Sequence, residues 1–264
     1  MITVADKGNS IVILPIQQYE TKIQNFLQEN NFQTSTTDPT KTFQTQIRKT
    51  INYSKTLIPQ ESKWKYINLN PSAPTIKGLL TIHKPDQPIC PNKNWCNAPA
   101  YKLSKLFTQK INQWTPLPYS FNIKNTIELI QKLKETPILP YFTFASLDIT
   151  NMYASIPITE TKQILADIME HNLIDTQIKQ ELLNWYDVIT KQNYFTNNND
   201  IIIQNDGLAM GASSSSITAE MFLQHTEKSH LAHLTQKHKI INYFRYVDNI
   251  FLIFDPTTIT YKLS

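Results

Sequence analysis

The chain has 264 residues, 17% of them charged, and a formal net charge of +4. That length can bury a sizeable core in one or two domains, and that charge excludes a disordered acidic or basic tail. Only 4 residues are glycine, where average usage of about 7% would give roughly 18; a GxGxxG dinucleotide fingerprint, a GxxxxGK[ST] phosphate loop and collagen-like or glycine-linker patterns are all absent.

In chain order, Asp6-Lys7-Gly8-Asn9 reads as a turn, Ser10 to Pro15 as a short apolar strand, and Gln17 to Asn30 as an amphipathic helix. Residues 31–75 are polar, with a helix near Lys41 to Leu57. Ile76 to Ile82 reads as a strand, followed by a connector through Pro85, Pro88, Pro91 and Pro99. Helices are predicted over Ala100 to Trp114 and Ile123 to Lys134, with Ser120 and Asn122 where an N-cap would sit. Phe142 to Asp148 reads as a short buried strand. Helices follow over Thr159 to Glu170 and Ile174 to Lys191, then a hairpin over Asn193 to Ile203 turning at Asn197 to Asp200. A long helix over Ser213 to His238 leads to a second hairpin, Ile240 to Phe254, with its tip at Val247-Asp248-Asn249. This order predicts an α+β fold with helices on one face of an antiparallel sheet.

No apolar run approaches the roughly 18 residues of a membrane span, and the N-terminus lacks a basic segment followed by an apolar one. The expectation is an intracellular protein, nuclear or cytoplasmic and not secreted, with no membrane partner. Cys90 and Cys96, the only cysteines, read as reduced thiols. A zinc site would need two more ligands, and His83 is the only candidate nearby. His225, His230, His233 and His238 on the long helix read as surface residues. Lys102, Lys105 and Lys110 could line a nucleic-acid groove or form a solvated helix face. Trp64, Trp95, Trp114 and Trp185 could stack bases, though packing is the commoner role.

Two carboxylates stand out by context. Asp148 ends an apolar strand and Asp248 sits at the tip of an apolar hairpin. Either could simply cap a turn. Beside buried strands a carboxylate needs a partner, and a divalent cation is a good one.

The surrounding residues carry a resemblance. Ser146-Leu147-Asp148-Ile149-Thr150-Asn151-Met152-Tyr153 resembles motif A of reverse transcriptases. Gln204-Asn205-Asp206-Gly207-Leu208-Ala209-Met210-Gly211 resembles motif B, and Arg245-Tyr246-Val247-Asp248-Asn249 resembles motif C. With Ala5-Asp6-Lys7-Gly8-Asn9, Gly78-Leu79-Leu80-Thr81-Ile82-His83-Lys84-Pro85 and Ala98-Pro99-Ala100-Tyr101-Lys102, these segments are most similar to Penelope-like retroelement reverse transcriptases, relatives of telomerase catalytic subunits. The resemblance covers almost the whole chain in the right order.

It implies a right-hand polymerase, with fingers-like residues 1–98 and a palm-like region over 99–264. The palm would be incomplete and the thumb missing, because Ser264 closes the sequence shortly after Asp248. By the same resemblance Asp148 and Asp248 are the catalytic, metal-binding carboxylates, with the Ile149 carbonyl a third ligand to two Mg²⁺ ions, or Mn²⁺. The ions would activate a primer 3′-hydroxyl and stabilise the departing pyrophosphate. Tyr153 falls at the steric gate that selects deoxynucleotides. Lys84, Gln87, Met210 and Gly211 fall at nucleotide-binding positions; Gly207, Tyr246 and Asn249 face the template and primer. The implied partners are an RNA template, a DNA primer and deoxynucleoside triphosphates.

Some positions depart from the family pattern. Asn249 replaces the usual second aspartate of motif C. Thr81 and Gln87 replace a lysine and an arginine that neutralise the triphosphate, which leaves Lys84 as the candidate cation. Ser213 to Ser216 replaces the usual proline after motif B. The competing expectation is therefore a catalytically dead retroelement remnant with at most weak nucleic-acid binding. A nucleotide cyclase palm shares the two-metal logic but explains neither motif B nor the fingers segments.

Overall fold

A computed structural model of the chain describes residues 1–8, 10–30, 32–82, 84–117, 121–198 and 200–258. Its elements, in order, are β1 (Ile2–Val4), β2 (Ile11–Ile13), α1 (Ile16–Glu29), β3 (Gln33–Ser35), α2 (Thr40–Tyr53), β4 (Thr75–Leu80), β5 (Ile89–Asn94), α3 (Tyr101–Trp114), α4 (Thr126–Glu135), β6 (Thr143–Asp148), α5 (Met152–Ser155), α6 (Ile158–His171), α7 (Thr176–Thr190), β7 (Tyr194–Asn197), β8 (Asp200–Ile203), α8 (Ser215–Lys237), β9 (Ile240–Tyr246) and β10 (Asn249–Phe254). They form two compact units: residues 1–115 with 153–217, and residues 116–152 with 218–264.

The first unit is built on a mixed five-stranded sheet of order β3-β8-β7-β4-β5, in which only the β4 and β7 pair is parallel. The apolar stripe of α1 supplies Ile23, Phe26 and Leu27 to a core shared with Phe195 and Ile202; this is how an amphipathic helix gains stability that its own hydrogen bonds do not give. The hairpin of β1 and β2 leans on β4 through an Ala5–Leu80 bridge. The end of α2 is fixed from a distance. The Glu181 carboxylate on α7 accepts the backbone N–H groups of Lys55, Thr56 and Leu57 at 2.7, 2.8 and 3.0 Å. Below them Trp185, wholly buried, donates its indole N–H to Ser54 at 2.7 Å.

The second unit is an antiparallel sheet of order β6-β10-β9. Ile123, Phe244 and Ile253 are its core, and Leu129 and Leu133 of α4 pack on them. On β9, Tyr243 and Arg245 point the other way and bond Glu227 on α8. Neighbouring residues of a strand face opposite sides, so this small sheet carries a helix on each face, not on one as expected.

Other expectations are corrected in detail. The connector through Pro91 contains a strand, β5. It lies at the edge of its sheet, where a proline's missing N–H costs no ladder bond. The cap of α4 is Asn125, whose side chain accepts from the Glu128 N–H at 3.0 Å; Asn122 instead bridges to Arg245. Most consequentially, β6 is not a buried strand. Phe144 and Leu147, on opposite faces, are each 51% exposed. β6 is an edge strand paired only with β10, so its apolar residues signal strand formation without burial. Asn9, His83, Ser120, Asn199 and Ser264 lie outside the described residues. Among those described, no helix is long and apolar enough to cross a membrane.

Candidate functional site

In the second unit, register alone brings the two aspartates together. Asp148 ends β6 directly opposite Asn249, the first residue of β10. The next rung continues past the strand, with the Ile149 N–H donating to the Asp248 carbonyl at 2.9 Å. Directly paired residues on antiparallel strands project to the same face, so Asp148 and Asn249 share one face beside the turn that carries Asp248.

That turn is a two-residue loop, Val247-Asp248, closed by the Tyr246–Asn249 pair. Val247 has φ +57°, a region a β-branched side chain rarely enters. Such strain persists only where the surroundings over-determine the backbone. Here the constraint is Arg245, wholly buried at the end of β9. Its guanidinium donates to the Val247 carbonyl at 3.2 Å, to both Glu220 oxygens at 2.9 Å, and to Glu227 at 2.5 and 3.1 Å. Burial works against charge on Arg245, but the hydrogen bonds to Glu220 and Glu227 outweigh it and raise its pKa. Burial likewise pushes Glu220 up, and its bonds to Arg245 and Gln224 hold it below the usual carboxylate range. Burial, followed by the Glu227 charge, drives the Tyr243 hydroxyl up.

The Asp148 and Asp248 carboxylates, the Ile149 carbonyl and the Asn249 amide oxygen would offer a cation an all-oxygen donor set. Such a set fits a hard cation such as Mg²⁺ and does not suit a soft one. Asn249 donates its side-chain N–H to one Asp248 oxygen at 2.9 Å, so the amide orients the carboxylate as well as lowering the charge. Among the described residues, no group of three or more His, Cys, Asp or Glu side chains gathers into a metal cluster. Tyr246 is half exposed beside the turn.

The remaining expected residues lie in the first unit, in two places. Gly207 and Gly211 have φ +80° and +89°, which suits a residue without a side chain. A Cβ on Gly207 would fall 2.3 Å from the Ala154 carbonyl oxygen, and one on Gly211 would fall 2.1 Å from that of Lys93. Tyr153 is half-buried beside this segment. Its carbonyl accepts the Leu208 N–H at 2.7 Å, and its hydroxyl lies 3.4 Å from that of Ser216. Met210 is half-buried and Gly211 exposed. The second place is the turn between β4 and β5, where Lys84 and Gln87 are exposed. Thr81 is 6% exposed, its N–H bonded to the Pro88 carbonyl.

Three features were missed from sequence. Lys22 on α1 donates to the Asp86 and Gln87 carbonyls at 2.6 and 3.0 Å, pinning consecutive residues with φ +59° and +46°. A surface lysine so far away in sequence gives no sign of this. Glu220 and Glu227, seven apart on α8, lie on one helical face, a spacing that could have flagged a buried partner. Lys93 is buried on β5; its parity with Ile89 placed it on the inward face. Of the other candidates, Trp95 and Trp185 are core and Trp64 is exposed. Lys102 donates to the Ile67 carbonyl and Lys105 lies over its own helix's Tyr101 ring. His225, His230 and His233 on α8, and His238 just past its end, are exposed, and neither cysteine is in a disulfide.

The sequence matches no family model and no curated protein. The fold is similar to solved telomerases. Telomerase from Candida albicans, in complex with a TWJ fragment of telomeric RNA, aligns with TM-score 0.58 and 11% identity over 96% of this chain and 45% of its own. The Candida tropicalis enzyme with the same kind of RNA fragment aligns with TM-score 0.60 and 10% identity, over 96% of this chain and 42% of its own. Apo telomerase from Candida tropicalis gives 0.57 and 10%, over 97% and 47%. The chain thus has a telomerase-like reverse-transcriptase fold and spans about half the length of the telomerases it matches.

Proposed function

We propose that this chain is the fingers and palm portion of an RNA-directed DNA polymerase of the Penelope-like type. It would add deoxynucleotides to a primer 3′-hydroxyl on an RNA template. The observation that carries this reading is the meeting of Asp148 and Asp248 at the end of the β6–β10 pair, beside a strained turn anchored by a buried arginine. Asp148, Asp248 and the Ile149 carbonyl would hold Mg²⁺ or Mn²⁺. When bound, these ions would supply Lewis-acid stabilisation of the attacking and leaving oxygens.

The protein's own contributions follow from its residues. Asn249 steadies the Asp248 carboxylate. Tyr246 offers an exposed ring to the primer end. In the first unit Tyr153 would discriminate against a 2′-hydroxyl, Met210 and Gly211 would contact the nucleotide, and Gly207 would let the template backbone approach. Lys84 would face the triphosphate with its point charge, and Gln87 with an amide. The work would take place inside the cell.

The test is primer extension on an RNA template with Mg²⁺ or Mn²⁺. Asp148→Ala and Asp248→Ala should each lower extension by about a thousandfold or more. Extension that is absent in the parent chain, or untouched by either change, overturns the reading. A second reading, a catalytically inactive remnant, is favoured by Thr81, which is buried and uncharged where a cation would meet the triphosphate. That reading expects binding of a template–primer duplex without extension.

A further inference from the structure

Lys93 has no role in the chemistry above, yet it touches both ends of the segment that carries Gly207 and Gly211. It is 2% exposed, and its ammonium lies 4.3 Å from the centre of the Phe195 ring and 5.4 Å from that of Phe32. Its polar partners are two side-chain amides. It donates to the Gln204 carbonyl oxygen at 2.9 Å and to that of Asn193 at 3.3 Å. Both amides then use their N–H₂ ends on the glycine segment. Gln204 donates to the Asp206 carbonyl at 2.8 Å, and Asn193 to the Gly207 carbonyl at 3.0 Å. At the other end, the Lys93 carbonyl fills the space that any Cβ on Gly211 would need.

The chemistry of the donors makes this arrangement one-way. An ammonium can only donate, so each amide must turn its oxygen toward Lys93 and its nitrogen toward the loop. A neutral amine keeps two N–H donors but loses the charge assistance and can also accept, so its hold on the two amides weakens.

We propose that Lys93 is a positioning residue whose buried ammonium, acting through Asn193 and Gln204, fixes the Gly207–Gly211 segment for its contacts with nucleotide and template. The functional half of this rests on the polymerase reading; the structural half does not. Around Lys93 the facing groups are Ile76 on the paired strand, Phe32, Phe195 and the two amides. In the adjoining apolar cluster the titratable side chain is Tyr19, whose hydroxyl accepts the Gly78 N–H. Lys22 on the same helix is half-buried and bonded to the β4–β5 turn. Asp206 is one step removed, with its carboxylate on the Gly207 N–H. With no carboxylate among those facing groups, burial lowers the Lys93 pKa to about 7. The segment should therefore loosen as pH rises through neutrality.

The scarcity of glycine supplies the probe. The chain labelled with ¹⁵N-glycine gives four backbone amide signals, from Gly8, Gly78, Gly207 and Gly211. Between pH 5.5 and 9 the Gly207 and Gly211 signals should shift together while Gly8 stays put. Lys93→Met keeps the packing on the two rings and removes the donors. It should displace both signals at pH 6 and abolish their titration. Gln204→Glu gives the ammonium a counter-ion and should move the midpoint up by about one pH unit or more. In primer extension, Lys93→Met should raise the nucleotide KM about tenfold and change kcat by less than about threefold.

Signals for Gly207 and Gly211 that coincide in Lys93→Met and the parent overturn the proposal, because a lysine that merely fills space would leave them unmoved. If Lys93→Met does not fold, Gln204→Glu decides: an unchanged midpoint overturns it. If the parent chain extends no primer while both glycine signals still follow Lys93, the polymerase reading falls and the positioning role stands.

Discussion

Asp148 and Asp248 hang from the exposed end of a three-stranded sheet, held by backbone pairing and one strained turn. Gly207 and Gly211 sit above a buried lysine, two buried amides and the Ala154 and Lys93 carbonyls, where hardly an atom could be added. The difference matches the roles proposed for the two groups. A carboxylate that binds a cation needs access to solvent and ligand, so its support comes from behind, through Arg245 and its two glutamates. A glycine backbone that must sit close to a ligand has no side chain to steer it, so its carbonyls are fixed by polar side chains from below.

The sharpest way to break this contrast is to remove the support behind the turn. Arg245→Met leaves Glu220 and Glu227 buried without their cation. It should destabilise the second unit by about 3–5 kcal/mol, because an uncompensated buried charge costs more than the pair contributes. Hydrogen exchange of the β9 and β10 amides against urea would measure it. A loss below about 1 kcal/mol would mean that the glutamates find other partners.

A somewhat smaller effect belongs to the glycine segment. Gly207→Ala drives a Cβ to within 2.3 Å of a backbone oxygen and demands a positive φ from alanine. It should cost on the order of 2–4 kcal/mol in the first unit. Urea unfolding followed by Trp fluorescence reports on that unit, since Trp64, Trp95, Trp114 and Trp185 all lie in it.

The smallest effect has the opposite sign. Val247→Gly relieves about 1–2 kcal/mol of left-handed strain and adds roughly 0.5–1 kcal/mol of chain entropy to lose. Stability should stay level or rise slightly, while extension falls severalfold as Asp248 loses its fixed approach. Extension that holds with stability would show the strain to be incidental.

Much of this was legible in sequence. The hairpins at Tyr194 to Ile203 and Ile240 to Phe254, and the helices at Ile16, Tyr101 and Ser215, follow from local periodicity and turn residues. The proximity of Asp148 to Asp248 also followed, through the motif resemblance. What local pattern misjudged was burial. Phe144 and Leu147 read as core and stand half exposed, because an apolar strand looks the same at the edge of a sheet as in its middle. Pro91 read as a connector for the related reason that edge position, which makes a strand proline tolerable, is a property of the sheet.

By itself, then, the sequence determined the order of the longer helices and of the two later hairpins, the turn chemistry and which carboxylates and glycines to single out as the candidate site. These depend on residues close along the chain, or on patterns that a family shares. Tertiary structure alone decided where the charges lie and what they hold: Arg245 buried between Glu220 and Glu227 behind the Val247-Asp248 turn, Lys22 on the β4–β5 turn, and Lys93 buried beneath the glycine segment. The free energy of a buried charge is set by the few groups that replace its water, and those groups come from distant parts of the chain.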